Sequence, residues 1–119
     1  MGYTTEFKGR FEFDKELTEE QFRILNEFSE ERHGDNYSKY PEFPSFYCQW
    51  VPTEDRKGLE WDGNEKFYEY IEWLHILIEK FFNPWGIKLN GEVKWRGEHW
   101  IDIGVIKITN NKVKAKEKR

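Results

Sequence analysis

Cys48 is the one cysteine in the chain and sits between Tyr47 and Gln49. Thiolate chemistry needs an exposed, electropositive setting. A mid-strand cysteine that shares a face with Phe46 and Trp50 reads instead as an inert, buried side chain. With no second cysteine, an internal disulfide and a cysteine-based zinc site are both excluded. His33, His75 and His99 have no cysteine or histidine at ligand spacing, and the residue one helical turn before His75 is Ile71. Glu54 with Asp55, and Glu60 with Asp62, have the chemistry of acid–base pairs, but a polar turn and a polar strand face account for them. No glycine-rich phosphate loop is present. The expectation is a protein that is not an enzyme and needs no metal or cofactor.

Recognition chemistry is better supplied. The chain has ten Phe, six Tyr and six Trp. Rings stack on nucleobases, amides read base edges, and Lys or Arg meets phosphate. Arg10, Arg32 and Lys66 are the candidates for phosphate contact, Lys66 because it lies near an expected helix start. Tyr47, Trp50 and Trp61 are the candidates for stacking, and Gln49 for base-edge hydrogen bonds. Trp50 and Trp61 have a competing reading as core, because Phe46, Cys48 and Leu59 share their faces.

These residues must be held by a scaffold, and periodicity outlines one. Residues 3–13 alternate as a half-buried strand, with Phe7, Phe11 and Phe13 on one face and Lys8, Arg10 and Glu12 on the other. Thr18 caps a helix, Gln21 completes its capping box, and Phe22, Leu25 and Phe28 form its apolar stripe up to Gly34. Residues 33–45 form a loop long enough to carry function. Phe46 to Val51 is a strand that turns through Pro52–Gly58 into a short return strand at Leu59 and Trp61. A second helix enters at Asp62–Glu65, buries Phe67, Tyr70, Ile71, Leu74, Leu77, Ile78 and Phe81, and stops at Pro84 and Gly86. Trp73, Phe82 and Trp85 fall off that stripe and suggest a subunit interface. Ile87 to Trp95 is a strand. A hairpin follows, with Ile103–Thr109 and Lys112–Ala115 joined at Asn110-Asn111.

The expected fold class is α+β: a ferredoxin-like split βαβ (β-α-β-β-α-β) with an added C-terminal β-hairpin, its antiparallel sheet covered by helices on one face. A chain of 119 residues fits one domain, taken as residues 1–115, with 116–119 as a basic, solvated tail. Its mean hydropathy of -0.96 is low for a folding chain, so the rings must supply much of the core. No apolar run is long enough to span a bilayer, and no signal-peptide layout opens the chain. The expected location is the cytoplasm. The net charge of -4 speaks against a long nucleic acid as partner, while leaving room for a small anion held by local cations.

Four stretches carry a resemblance: GYTTEFKGRF at the start, YCQWVPTEDRKGLEWDGNEKFYEYIEWL, PWGIKLNGEVKWRGE, and the step Asp102-Ile103-Gly104. Together they span nearly the whole chain. They resemble a set of small phage and prophage proteins associated with the viral anti-CBASS cyclic-nucleotide sponges (anti-CBASS 4-like). Longer members carry an insertion before the CQW strand, where this chain has only residues 33–46. The resemblance implies an immune-evasion protein of a bacteriophage, acting in the host bacterial cytoplasm. It would bind and sequester a cyclic dinucleotide such as 3′3′-cGAMP without cleaving it, as a homo-oligomer, with a tetramer favoured. A protein-binding inhibitor or adaptor is the alternative, and a nucleotide-acting enzyme the third reading.

Overall fold

The computed structural model describes residues 5–31, 47–64, 67, 69–99 and 101–118. Strands β1 (Glu6–Lys8) and β2 (Phe11–Phe13) are followed by helix α1 (Glu19–Glu30), then β3 (Trp50–Pro52) and β4 (Gly58–Trp61). Helix α2 (Tyr70–Leu77) continues through a π-helical turn (Ile78–Phe82) into the short α3 (Asn83–Trp85). Strands β5 (Leu89–Arg96), β6 (Ile103–Thr109) and β7 (Lys112–Lys118) close the chain. The result is an α+β fold with a seven-stranded antiparallel sheet ordered β3-β4-β2-β5-β6-β7, in which β1 also pairs with β5.

β1 and β2 keep one register against β5, Lys8 opposite Lys94 and Phe11 opposite Gly91, so they are one strand broken at Gly9 and Arg10. Gly9 has φ 101°, a conformation that an L side chain avoids. Alternation then assigns the faces. Phe7, Phe11, Leu59, Leu89, Val93, Trp95, Ile106 and Ile108 are buried on the inner face, and the helices pack there. Phe13 meets Phe82 at 5.2 Å, Phe7 meets Tyr70 at 5.0 Å and Phe28 meets Trp73 at 5.9 Å between ring centroids. Edge-on aromatic packing of this kind is how a chain poor in aliphatic residues closes its core.

Several local expectations meet the structure directly. Thr18 and Gln21 form both arms of the capping box. Asn110 and Asn111, at φ 47° and 68°, make the tight left-handed turn of the last hairpin. Others are corrected. The second helix begins at Tyr70 rather than at Asp62–Glu65, with Glu69 at its cap in the left-handed region, φ 59°. Phe67 is buried ahead of the helix. The π turn adds a residue to the winding after Leu77 and turns Phe82 fully into the core, with Phe81 half-buried; ahead of it, Trp73 is buried beside Leu74 while Tyr70 and Ile71 are half-buried. Trp73 and Phe82 therefore do not form an interface. β3 is shorter than expected and contains Pro52, which an edge strand tolerates. β7 runs on to Lys118, so residues 116–118 extend the sheet rather than forming a tail. Gly34, Phe46 and the loop 33–45 lie outside the described residues.

Candidate functional site

β3 is an edge strand, and α1 packs against it. Between the C-terminal half of α1 and the β3–β4 edge lies a cleft of about 580 Å³. Asn26, Ser29 and Glu30 form its helical bank; Tyr47, Gln49, Asp62 and Asn64 form the other. The sequence places these groups by simple means. Tyr47 precedes the strand and keeps 47% of its surface exposed, because its neighbour Cys48 takes the inward position. Asp62 folds the chain after β4: its carboxylate accepts the Asn64 backbone N–H at 2.9 Å and the Asn64 side-chain N–H at 3.0 Å. The Asp62 backbone N–H donates to the Gln49 carbonyl at 2.9 Å, tying the two segments together.

Trp61 and Gln49 act as a pair. The Trp61 Nε1–H donates to the Gln49 Oε1 at 3.2 Å and to the Asn64 carbonyl at 3.1 Å. The Trp61 ring is half-buried and leans on Phe7, 5.4 Å between centroids. The indole thus orients the amide instead of presenting an open face. Trp50 is fully core at 1% exposure: its Nε1–H donates to the Tyr70 carbonyl at 2.9 Å, and Phe7 and Phe67 meet it edge-on. No ligand can stack on it in this conformation. Cys48 is buried, and burial pushes its thiol up to about 12, where it is neither nucleophile nor ligand at neutral pH.

Arg10 stands apart from this cleft, over the start of β4. Its guanidinium donates from Nε to Glu12 at 2.7 Å and from Nη2 to Glu12 at 3.0 Å and to Asp55 at 3.1 Å. Asp55 is held further by the Thr53 hydroxyl and the Lys57 backbone N–H. These hydrogen bonds, the Thr53 hydroxyl foremost, lower the Asp55 carboxyl to about 2. Gly58 makes room for the cluster, since a Cβ there would lie 2.6 Å from the Phe11 carbonyl and 3.1 Å from the Arg10 Nε. Arg10 is thereby committed to two carboxylates that fasten the β3–β4 turn.

Of the expected site residues, the structure brings Tyr47, Gln49 and Trp61 together, places Trp50 in the core and puts Arg10 elsewhere. Arg32 and Lys66 lie outside the described residues. Asn26, Ser29 and Asn64 were missed by sequence reading; they are ordinary surface polar residues until α1 docks. Among the described residues no group of His, Cys, Asp and Glu could hold a metal ion, and no helix is long and apolar enough to cross a membrane. Comparison with protein-family models, with curated proteins and with solved structures finds no match.

Proposed function

We propose that this protein is a non-catalytic binder that sequesters a cyclic dinucleotide, such as 3′3′-cGAMP, and so blunts CBASS defence during phage infection of the bacterial cytoplasm. The observation that carries the reading is the cleft between α1 and the β3–β4 edge. Its volume is in the range that encloses small organic ligands. It joins an exposed tyrosine ring to an oriented glutamine amide and an asparagine, which is the chemistry of base stacking and base-edge reading. The viral role rests on the sequence resemblance.

Glu30 and Asp62 give the described lining an acidic character, so phosphate contact has to come from elsewhere. Arg32 and Lys66 are the candidates, each two positions along the chain from a cleft residue, Glu30 and Asn64. A homo-oligomer, tetrameric by preference, would duplicate the cleft for a two-fold ligand. We read the frame as ferredoxin-like: counting β1 and β2 as one strand, β3, β4, β2 and β5 stand in the order of a split βαβ, and β6–β7 extend it.

The test is binding followed by recovery. Protein is mixed with 3′3′-cGAMP, heated, and the released nucleotide is assayed; intact ligand is expected, and a cleaved product would make the protein an enzyme. Tyr47→Ala and Gln49→Ala should each weaken binding about tenfold or more, and Tyr47→Ala should change stability by no more than about 0.5 kcal/mol, as exposed positions do. Trp50→Ala should instead cost about 3–5 kcal/mol of stability, as large buried rings do. A thermal-shift response that is flat across cyclic di- and trinucleotides would overturn the reading.

A further inference from the structure

The outer face of the sheet, opposite the helices, is strongly sorted by charge. Near β4 and β2 the cation Arg10 is spent on Glu12 and Asp55. Across β1, β5, β6 and β7 the balance reverses. One row crosses the sheet from Lys8 to Lys94, then Val105, then Lys116, each directly opposite the next. The adjacent row runs from Glu92 to Lys107 to Lys114. Arg96 and Lys112 extend the patch at its two ends. All of these cations are exposed, and none makes an ion pair among the described residues. A hollow of about 330 Å³ opens at one end, lined by Lys8, Lys94 and Arg96 and also by Glu6, Trp95 and Ile103.

Two of these pairs set lysine directly against lysine: Lys8 with Lys94, and Lys107 with Lys114. Like charges in that position destabilise a sheet. Interleaved signs, as at Glu92 and Lys107, would solvate the face without that cost. We propose that this face binds the phosphate backbone of a nucleic-acid strand, without reading its sequence. Lysines at alternate positions of β7 recur roughly every 6.8 Å, twice the antiparallel strand rise, and so present a ladder of charges along an extended polyanion. Among the described residues the face offers no exposed ring to stack on bases, which removes sequence and base preference. Its apolar residues Ile103 and Val105 are half-buried, and among the described residues it has no exposed aromatic anchor for a protein partner. Phosphates need no such anchor, since cations alone meet them and release their counterions.

The net charge of -4 argues against such a partner for the chain taken as a whole. The fold changes the premise by collecting lysines on one face, while Glu19, Glu20, Glu27 and Glu30 lie on the surface of α1. The surface is separate from the α1 cleft and does not depend on it.

The experiment is fluorescence anisotropy with labelled mixed-sequence oligonucleotides, single-stranded and duplex, titrated from about 50 mM salt upward. Binding that weakens linearly in log–log with salt is expected. Lys107→Gln with Lys114→Gln should lower affinity at least about tenfold and reduce the salt slope by about 2, one for each phosphate contact removed. Lys15→Gln, away from this face, should leave both unchanged. Thermal melts of the variants show that they fold. No binding at low salt, binding without a salt slope, or an unaltered double variant would each overturn the proposal. So would capture by anionic-lipid vesicles without any by oligonucleotides.

Discussion

Asp55 and Arg10 show how a plausible ligand residue becomes a fastener. A guanidinium beside two carboxylates is worth more to the turn it closes than to a distant phosphate, because its hydrogen bonds are already made. The consequence is readable in pH. Asp55 sits near 2, below the ordinary value of ~3.9, so it binds fewer protons folded than unfolded. Its contribution is therefore fully present above pH ~4 and is lost as the pH falls toward ~2. Asp55→Asn should melt below the parent protein at neutral pH, and the two melting curves should converge by pH ~2. A gap that persisted in acid would show that the carboxylate charge is not what holds the turn. Glu69 has the opposite sign, since the hydrogen bond and charge of Glu72 raise its carboxyl, and its contribution declines as the pH rises.

At the level of elements, the fit between Trp95 and Gly104 decides how β5 and β6 can lie together. They are directly opposite, and a Cβ built on Gly104 would lie 2.4 Å from the Trp95 ring. Glycine at 104 is thus a slot for an indole. The Trp95 Nε1–H is buried there without a hydrogen-bond partner among the described residues, a burden of about 1–3 kcal/mol that the packing of the ring must outweigh. Gly104→Ala should destabilise the protein by about 2–3 kcal/mol through overpacking, measured by urea unfolding. Its tryptophan fluorescence should shift as the ring is displaced. An unchanged midpoint would mean that the two strands can part freely. The π turn after α2 is the second element-level device, because it rotates which residues a single continuous helix turns inward.

For the whole molecule, the governing feature is the separation of charge between a lysine-rich sheet face and acidic helical and loop surface. Repulsion within the sheet face lowers stability most when screening is weak. Lys114→Gln should therefore raise stability at low salt by about 0.2–0.5 kcal/mol, since Lys107 stands directly opposite. The gain should vanish in about 1 M salt, where the screening length is ~3 Å. Equal effects at both salt concentrations would point to strand propensity instead of charge. The cleft at the α1 edge and the lysines of β1, β5, β6 and β7 thus lie at separate parts of the molecule.

What could be read from the amino acids alone were the properties that depend on near neighbours in the chain. The alternation of Phe7, Phe11 and Phe13, the Thr18–Gln21 cap and the Asn110-Asn111 turn are local, and each stands where the pattern put it. The element order and the antiparallel character of the sheet followed from the same patterns. Tertiary structure decided everything that depended on which faces meet. The π turn moved Phe82 inside, because one added residue in the winding rotates all that follows, while Trp73, ahead of that turn, went inside against Phe28 of α1. Trp50 went to the core and Trp61 to the cleft margin, although both alternate correctly, because Phe67 and Tyr70 close over Trp50 while the Trp61 indole N–H turns toward Gln49 and Asn64. Arg10 met Asp55 only through the β2–β4 pairing. The lysines of β1, β5, β6 and β7 are scattered through the sequence, and only the strand register gathers them into one surface.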